Sequence, residues 1–173
     1  MILKQLSALA RCGMDIACHT KTHPNLTANL TDEQLHQEIT YPKMYLENMG
    51  FEVRTMIYPY YKWDGRIIDI VKEAGYTCAR AGWSEERAFD LRAADPQVRY
   101  HVYAWQITEQ DMVEFKSIVD RASSQHVVSL AYHFISDSGP EELSTPVANF
   151  KEQMSYLKEA GFTVVLLADL FRQ

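Results

Sequence analysis

His19 and His23 stand four residues apart in the run His19-Thr20-Lys21-Thr22-His23-Pro24-Asn25-Leu26. The run follows a short apolar stretch, Met14-Asp15-Ile16-Ala17-Cys18. A strand ending at Cys18 puts His19 at a carboxyl-terminal strand end, where α/β folds place their chemistry. One turn of chain then lets both imidazoles converge on one point. Neutral imidazole is the commonest protein ligand for zinc and similar divalent metals. A catalytic zinc takes about three protein ligands and keeps one position open, so this pair is part of a site.

The elements that must position these residues alternate in type. Ile2, Leu3, Leu6, Leu9 and Ala10 recur at helical spacing and Gly13 stops them. A strand is expected at about 14–18. Thr31-Asp32-Glu33-Gln34 has the form of a capping box and opens a helix that runs to Gly50, with Pro42 predicted to kink or split it. A strand near 53–58, a helix over about 65–74 and a strand over 76–81 follow. Further strands are expected at 100–105, at 127–132 (buried on both faces) and at 162–167. Thr108 to Asp111 begins a helix with Met112, Phe115, Ile118, Val119 and Ala122 inward. A second begins at Thr145-Pro146, with Val147, Phe150, Met154 and Leu157 inward. About six strands alternating with helices predict an α/β fold with a mostly parallel sheet or barrel. The chain opens on a helix with no strand before it, which would leave a closed barrel with unpaired edges. The expectation is one domain over 1–173 whose first strand is missing, with the open edge a route to a homodimer.

Composition narrows the function classes. The chain has 173 residues, 47% of them hydrophobic and 23% charged, with a formal charge of −6. Acidity and the lack of a Lys/Arg run argue against a nucleic-acid surface. No stretch approaches the roughly 20 apolar residues of a membrane span. Met1 to Leu6 lacks the regions of a signal peptide, and the sequence leaves open whether the protein works inside or outside a cell. Cys12, Cys18 and Cys78 form no paired motif and read as buried thiols.

Several segments resemble one family in order. Gly13 to Leu26 resembles the histidine motif of the polysaccharide deacetylases, the NodB-homology carbohydrate esterases. Tyr58-Pro59-Tyr60 resembles their tyrosine-proline segment, and Val71 to Tyr76 the helix end that follows. Leu130-Ala131-Tyr132-His133 resembles their late histidine motif, and Phe150 to Leu170 their closing helix and strand. The resemblance implies a distorted, incomplete (β/α) barrel and a divalent metal, zinc or alternatively cobalt, nickel or manganese. It implies that His19 and His23 are metal ligands, with Thr20 shaping their loop. Tyr60 would supply an oxyanion N–H and His133 would protonate the leaving amine, as the protein removes acetyl groups from an acetylated carbohydrate. Tyr58, Pro59 and Trp105 would contact the sugar, with Tyr103 a further aromatic at its side.

Two features depart from the family. Its early Asp-Asp motif, which supplies a metal ligand and the general base, has no counterpart before His19; Asp15 is followed by Ile16. Asp64 and Asp137 are the acids nearest the other motifs. Tyr61 stands where many members have Gly, and Ile57 where some have Arg. The alternative function is therefore a truncated or degenerate member that binds metal or carbohydrate without catalysis. His36, His101 and His126 are expected on the surface. Trp63 and Trp83 are expected in core or rim packing.

Overall fold

Helix ends set the frame. In the computed structural model, which describes residues 3–82, 89–90 and 97–171, α1 spans Leu3–Arg11 and α2 spans Asp32–Asn48. The Thr31 hydroxyl accepts from the Gln34 N–H while the Gln34 side chain accepts from the Thr31 N–H, which is the capping box read from sequence. At its other end Gly50 adopts φ 88°, and its N–H reaches the Glu47 carbonyl while the Phe51 N–H reaches that of Leu46. That left-handed turn suits a residue without Cβ, and it delivers Phe51 into the core. α2 is not split at Pro42, which lies inside the single helix. The proline has no N–H to give the Glu38 carbonyl, a local loss that packing of Leu35 and Ile39 on the same helix offsets.

The chain forms two compact units. The first comprises Met1–Gly82, Asp95–Val102 and Leu166–Gln173. Its ladder is parallel throughout. β1 (Thr55–Ile57) pairs with β2 (Cys78–Arg80) in the register Met56 to Ala79. A single bridge joins Cys18 to Met56 on one side, and another joins Arg80 to Val102 on the other. The strand expected at 14–18 is thus one bridged residue, and that expected at 100–105 becomes a 3-10 turn (Val98–Tyr100) followed by the Val102 bridge. α3 (Gly65–Glu73), capped by Asp64, buries Ile67, Ile68, Ile70 and Val71. At the amino ends of the strands, Arg54 donates to Asp169 at 2.6 Å and lies 3.9 Å from Asp15, tying the 3-10 turn Leu167–Phe171 to β1.

The second unit comprises Trp83–Ala94 and Tyr103–Val165. β3 (Phe89–Asp90) pairs antiparallel with β5 (His126–Val127), and β4 (Trp105–Gln106) pairs parallel with β6 (Leu130–Ala131). β7 (Phe134–Ile135) and β8 (Ser144–Thr145) form a further parallel pair. α4 (Met112–Val119) and α5 (Val147–Glu159) close over a core of Ile107, Phe115, Ile118, Val119 and Leu157. The strand expected at 127–132 divides because its halves have different partners, and of its residues Ala131 alone is buried. The strand expected at 162–167 does not form. Val164 is 80% exposed, and among the described residues no ladder takes this stretch. The sum is a mixed α/β chain of short strands; no helix among the described residues is long and apolar enough to cross a membrane.

Packing and thiol chemistry give two expectations. Phe115→Ala should lower unfolding free energy by about 3–5 kcal/mol in urea titrations, since its ring is fully buried. Cys12 is exposed, correcting the reading of three buried thiols, whereas Cys18 and Cys78 are buried. Burial pushes the Cys18 thiol up and the Cys78 thiol up to about 11. A thiol reagent at about pH 8 should therefore label Cys12 rapidly and the other two only on unfolding. The native state holds the Cys78 proton to higher pH than the unfolded chain does. The stability from that thiol is complete below its ordinary pKa and is lost as pH rises through about 11, which urea midpoints across that window will show.

Candidate functional site

The histidine loop grows from the last bridged residue of a strand. Cys18 donates its N–H to the Thr55 carbonyl and accepts from the Ile57 N–H at 2.8 Å, so the next residue emerges at the carboxyl end of the ladder. There His19 Nδ1 lies 2.9 Å from the Ile57 carbonyl. A carbonyl only accepts, so Nδ1 carries the hydrogen and Nε2 is the accepting nitrogen. His23 Nε2 lies 3.1 Å from His19 Nε2, with the rings edge to face at 4.6 Å between centroids. The turn that brings them together is strained: Thr20 has φ 65° and His23 φ 59°, uncommon for residues with a Cβ. The Thr20 hydroxyl accepts the His23 N–H at 3.0 Å. Glu38 of α2 accepts the Lys21 and Thr22 N–H groups and the Thr22 hydroxyl.

This pair suits a divalent metal at two positions. Two nitrogens bound tetrahedrally at about 2.0–2.1 Å lie roughly 3.3 Å apart, close to the observed spacing. A backbone carbonyl on the other ring nitrogen is the usual way a ligating imidazole is oriented. A third donor does not join them: no group of three His, Cys, Asp or Glu suited to a metal occurs among the described residues. Asp15 accepts the Thr55 hydroxyl at 2.7 Å, at the amino end of β1 rather than beside His19. Asp64 caps α3 by accepting the Ile67 N–H, and Asp137 accepts the Val147 N–H at the start of α5. The two acids nearest the motifs therefore serve as helix caps.

A second turn follows β1 at the same end of the ladder. Tyr58 is fully buried and its hydroxyl donates to the Tyr100 carbonyl at 3.0 Å; burial holds this phenol above its ordinary range. Pro59 is buried too, so these two residues underlie the turn and expose little side chain. Tyr60 (φ 51°) and Tyr61 (φ 60°) both take the left-handed conformation. Tyr60 is exposed, and its ring meets the edge of His23 at 4.8 Å. The structure thus brings Tyr60 to the histidine pair, a contact no spacing rule would give. Tyr61 covers the guanidinium of Arg80, whose charge burial disfavours. Gly82 packs against Tyr61 so closely that a Cβ there would come within 2.0 Å of the tyrosine's Cβ, far inside contact distance.

His133, Trp105 and Tyr103 lie in the second unit. His133 is exposed between β6 and β7. Trp105 on β4 packs against the second unit's core, with the Arg121 guanidinium 4.8 Å from its ring centre. Tyr103 is half-buried. His36, His101 and His126 are half-buried rather than on the surface, and His101 stacks on Trp63 at 4.8 Å. Trp83 lies outside the described residues. Glu38 escaped the sequence reading because nothing in its spacing from His19 marks it as a partner.

Gly82→Ala should displace Tyr61 and with it the Tyr60 turn. The expected result is a loss of about 1–3 kcal/mol in urea unfolding and a shifted His23 ring resonance by NMR. An unshifted resonance would show that the turn does not depend on this glycine.

Residues 3–79 match the family model described as Polysaccharide deacetylase. The match covers a little under half of the chain, from α1 into β2, and includes both histidines and the Tyr58–Tyr60 turn. No curated protein and no solved structure matches the chain. Residues 3–79, which contain the paired imidazoles and the tyrosine turn against them, are thus similar to the polysaccharide deacetylase family.

Proposed function

We propose that the protein removes acetyl groups from an acetylated carbohydrate of the N-acetylglucosamine type, with a divalent metal held by His19 and His23. The observation that carries this reading is the approach of the two Nε2 atoms to 3.1 Å at the carboxyl end of the ladder. The strand positions 18, 55–57, 78–80 and 102 lie side by side in chain order and parallel. That order supports an incomplete (β/α) barrel of the family's type. A bound metal, zinc by its preference for imidazole, supplies Lewis acidity toward the acyl oxygen and makes water a better nucleophile.

The chain's own residues do the rest. The Ile57 carbonyl takes the His19 Nδ1 hydrogen and leaves Nε2 as the donor to metal. The backbone N–H of Tyr60 donates to the oxygen on which charge develops as the acyl carbon becomes tetrahedral. Tyr58 and Pro59 form the floor that holds this turn, and Tyr60 offers an exposed ring to the sugar. His133 as the acid that protonates the leaving amine and Trp105 as a sugar contact are the roles the resemblance implies. Asp15 followed by Ile16, where the resemblance would call for an early Asp-Asp pair, favours one other reading, a chain that binds metal or carbohydrate without hydrolysis.

Acetate release from acetylated chito-oligosaccharides, with Zn²⁺ or Co²⁺ added, separates the two. The deacetylase reading expects release that falls at least about 100-fold in His19→Ala and about 10²–10⁴-fold in His133→Ala. Co²⁺ binding by wild type with no acetate released would establish the non-catalytic reading instead.

A further inference from the structure

We infer that Glu38 is a positioning residue for the histidine loop, setting the direction in which His19 and His23 present their Nε2 atoms; the functional part of this inference rests on the proposed metal role of that pair. The loop is expensive to hold. Two of its five residues, Thr20 and His23, take positive φ, a conformation that persists in residues with a Cβ only where the surroundings fix it. Its backbone forms no strand or helix that would fix it from within. The fixing comes from α2, one turn before Pro42.

Glu38 presents both carboxylate oxygens to the loop. Oε2 accepts from the Lys21 N–H at 3.0 Å and from the Thr22 N–H at 2.8 Å, and Oε1 accepts from the Thr22 hydroxyl at 2.8 Å. Hydrogen bonds to an ionised carboxylate are about twice as strong as neutral ones, and these three converge on adjacent residues. They pin the middle of the loop, while the Cys18 bridge pins its start and the Thr20 hydroxyl pins the His23 N–H. With start, middle and end held, the left-handed turns at Thr20 and His23 become the way the chain can connect them. α2 in turn is anchored by the buried Leu35 and Ile39, one on each side of Glu38 in sequence, so the carboxylate sits on a rigid support. Glu38 does not touch the metal position in this account; it acts through the loop.

Three variants test this. Glu38→Ala removes all three bonds. Glu38→Asp keeps the charge but withdraws the carboxylate by one methylene, and serves if the alanine variant fails to fold. Glu38→Gln keeps the shape, since its amide oxygen can accept both N–H groups and its NH₂ can donate to the Thr22 hydroxyl. Amide hydrogen exchange at Lys21 and Thr22, read by NMR on the metal-free chain, should accelerate at least about 10-fold in the alanine and aspartate variants, and within about 3-fold of wild type in the glutamine variant. Exchange in β1 and α3 should not move. Co²⁺ affinity should fall about 10–100-fold in the first two and be largely restored by glutamine. Wild-type exchange at Lys21 and Thr22 in folded Glu38→Ala or Glu38→Asp would overturn the inference. A wild-type chain that binds no Co²⁺ would instead remove the metal reading of the pair, and the exchange comparison would still decide the role of Glu38.

Discussion

Two hydrogen bonds at Cys18 carry more of this molecule than their number suggests. The Cys18 N–H reaches the Thr55 carbonyl and its carbonyl receives the Ile57 N–H. They bring a stretch that forms no extended strand of its own against β1, and so decide where His19 begins. Without them the imidazole would have no reason to meet the Ile57 carbonyl, and its tautomer would not be set. The same end of the ladder then receives the turn after β1. Everything that can do chemistry in the first unit follows from this parallel alignment, because parallel strands send all their carboxyl ends to one side.

Strain and support are paired at that end. Among the described residues, four other than glycine take positive φ, and they are Thr20, His23, Tyr60 and Tyr61. All four lie in the two turns that meet at the His23–Tyr60 contact. Each turn has a buried or anchored backing: Glu38 behind the first, and Tyr58, Pro59 and Gly82 behind the second. The opposite end of the ladder is built for stability, with Arg54 set between Asp169 and Asp15 and Thr55 bonded to the latter. Hydrogen bonding to Asp169 first, and then the nearby acids, keeps that guanidinium's pKa raised. The one acid before His19, Asp15, is thus committed to a structural cluster at that end.

How much could be read from the sequence differs by element. Helix ends were mostly legible to within a residue or two, because their signals are local; α4 is the exception, ending at Val119, three residues before the Ala122 expected on its inner face. Thr31 and Gln34 make the box that starts α2, and Gly50 and Gly75 end α2 and α3. Strands were legible in place only in part, and not in length: those near 53–58 and 76–81 form, whereas β3, β7 and β8 were not anticipated. A strand exists by virtue of a partner, and the apolar run 127–132 divides where its partner changes from β3 to β4. Phe162 to Leu167 has the composition of a strand, yet no described neighbour offers it a ladder. Composition records what a segment tolerates, whereas pairing depends on what lies beside it.

The site divides in the same way. His19 and His23 could be singled out because imidazole spacing after an apolar run is a local pattern, and Tyr60 because Tyr58-Pro59-Tyr60 resembles a family segment. The sequence by itself determined which residue types, at which spacing, are chemically able to ligate a metal or exchange protons, and where most helices start and stop, since both are written within a few consecutive residues. Only the tertiary structure decided that Glu38 holds the loop, that Tyr60 abuts His23 and that Asp64 and Asp137 are spent as caps. The reason is distance along the chain: hydrogen bonds and ring contacts join residues that folding brings together, and their spacing in sequence carries no periodic trace of it.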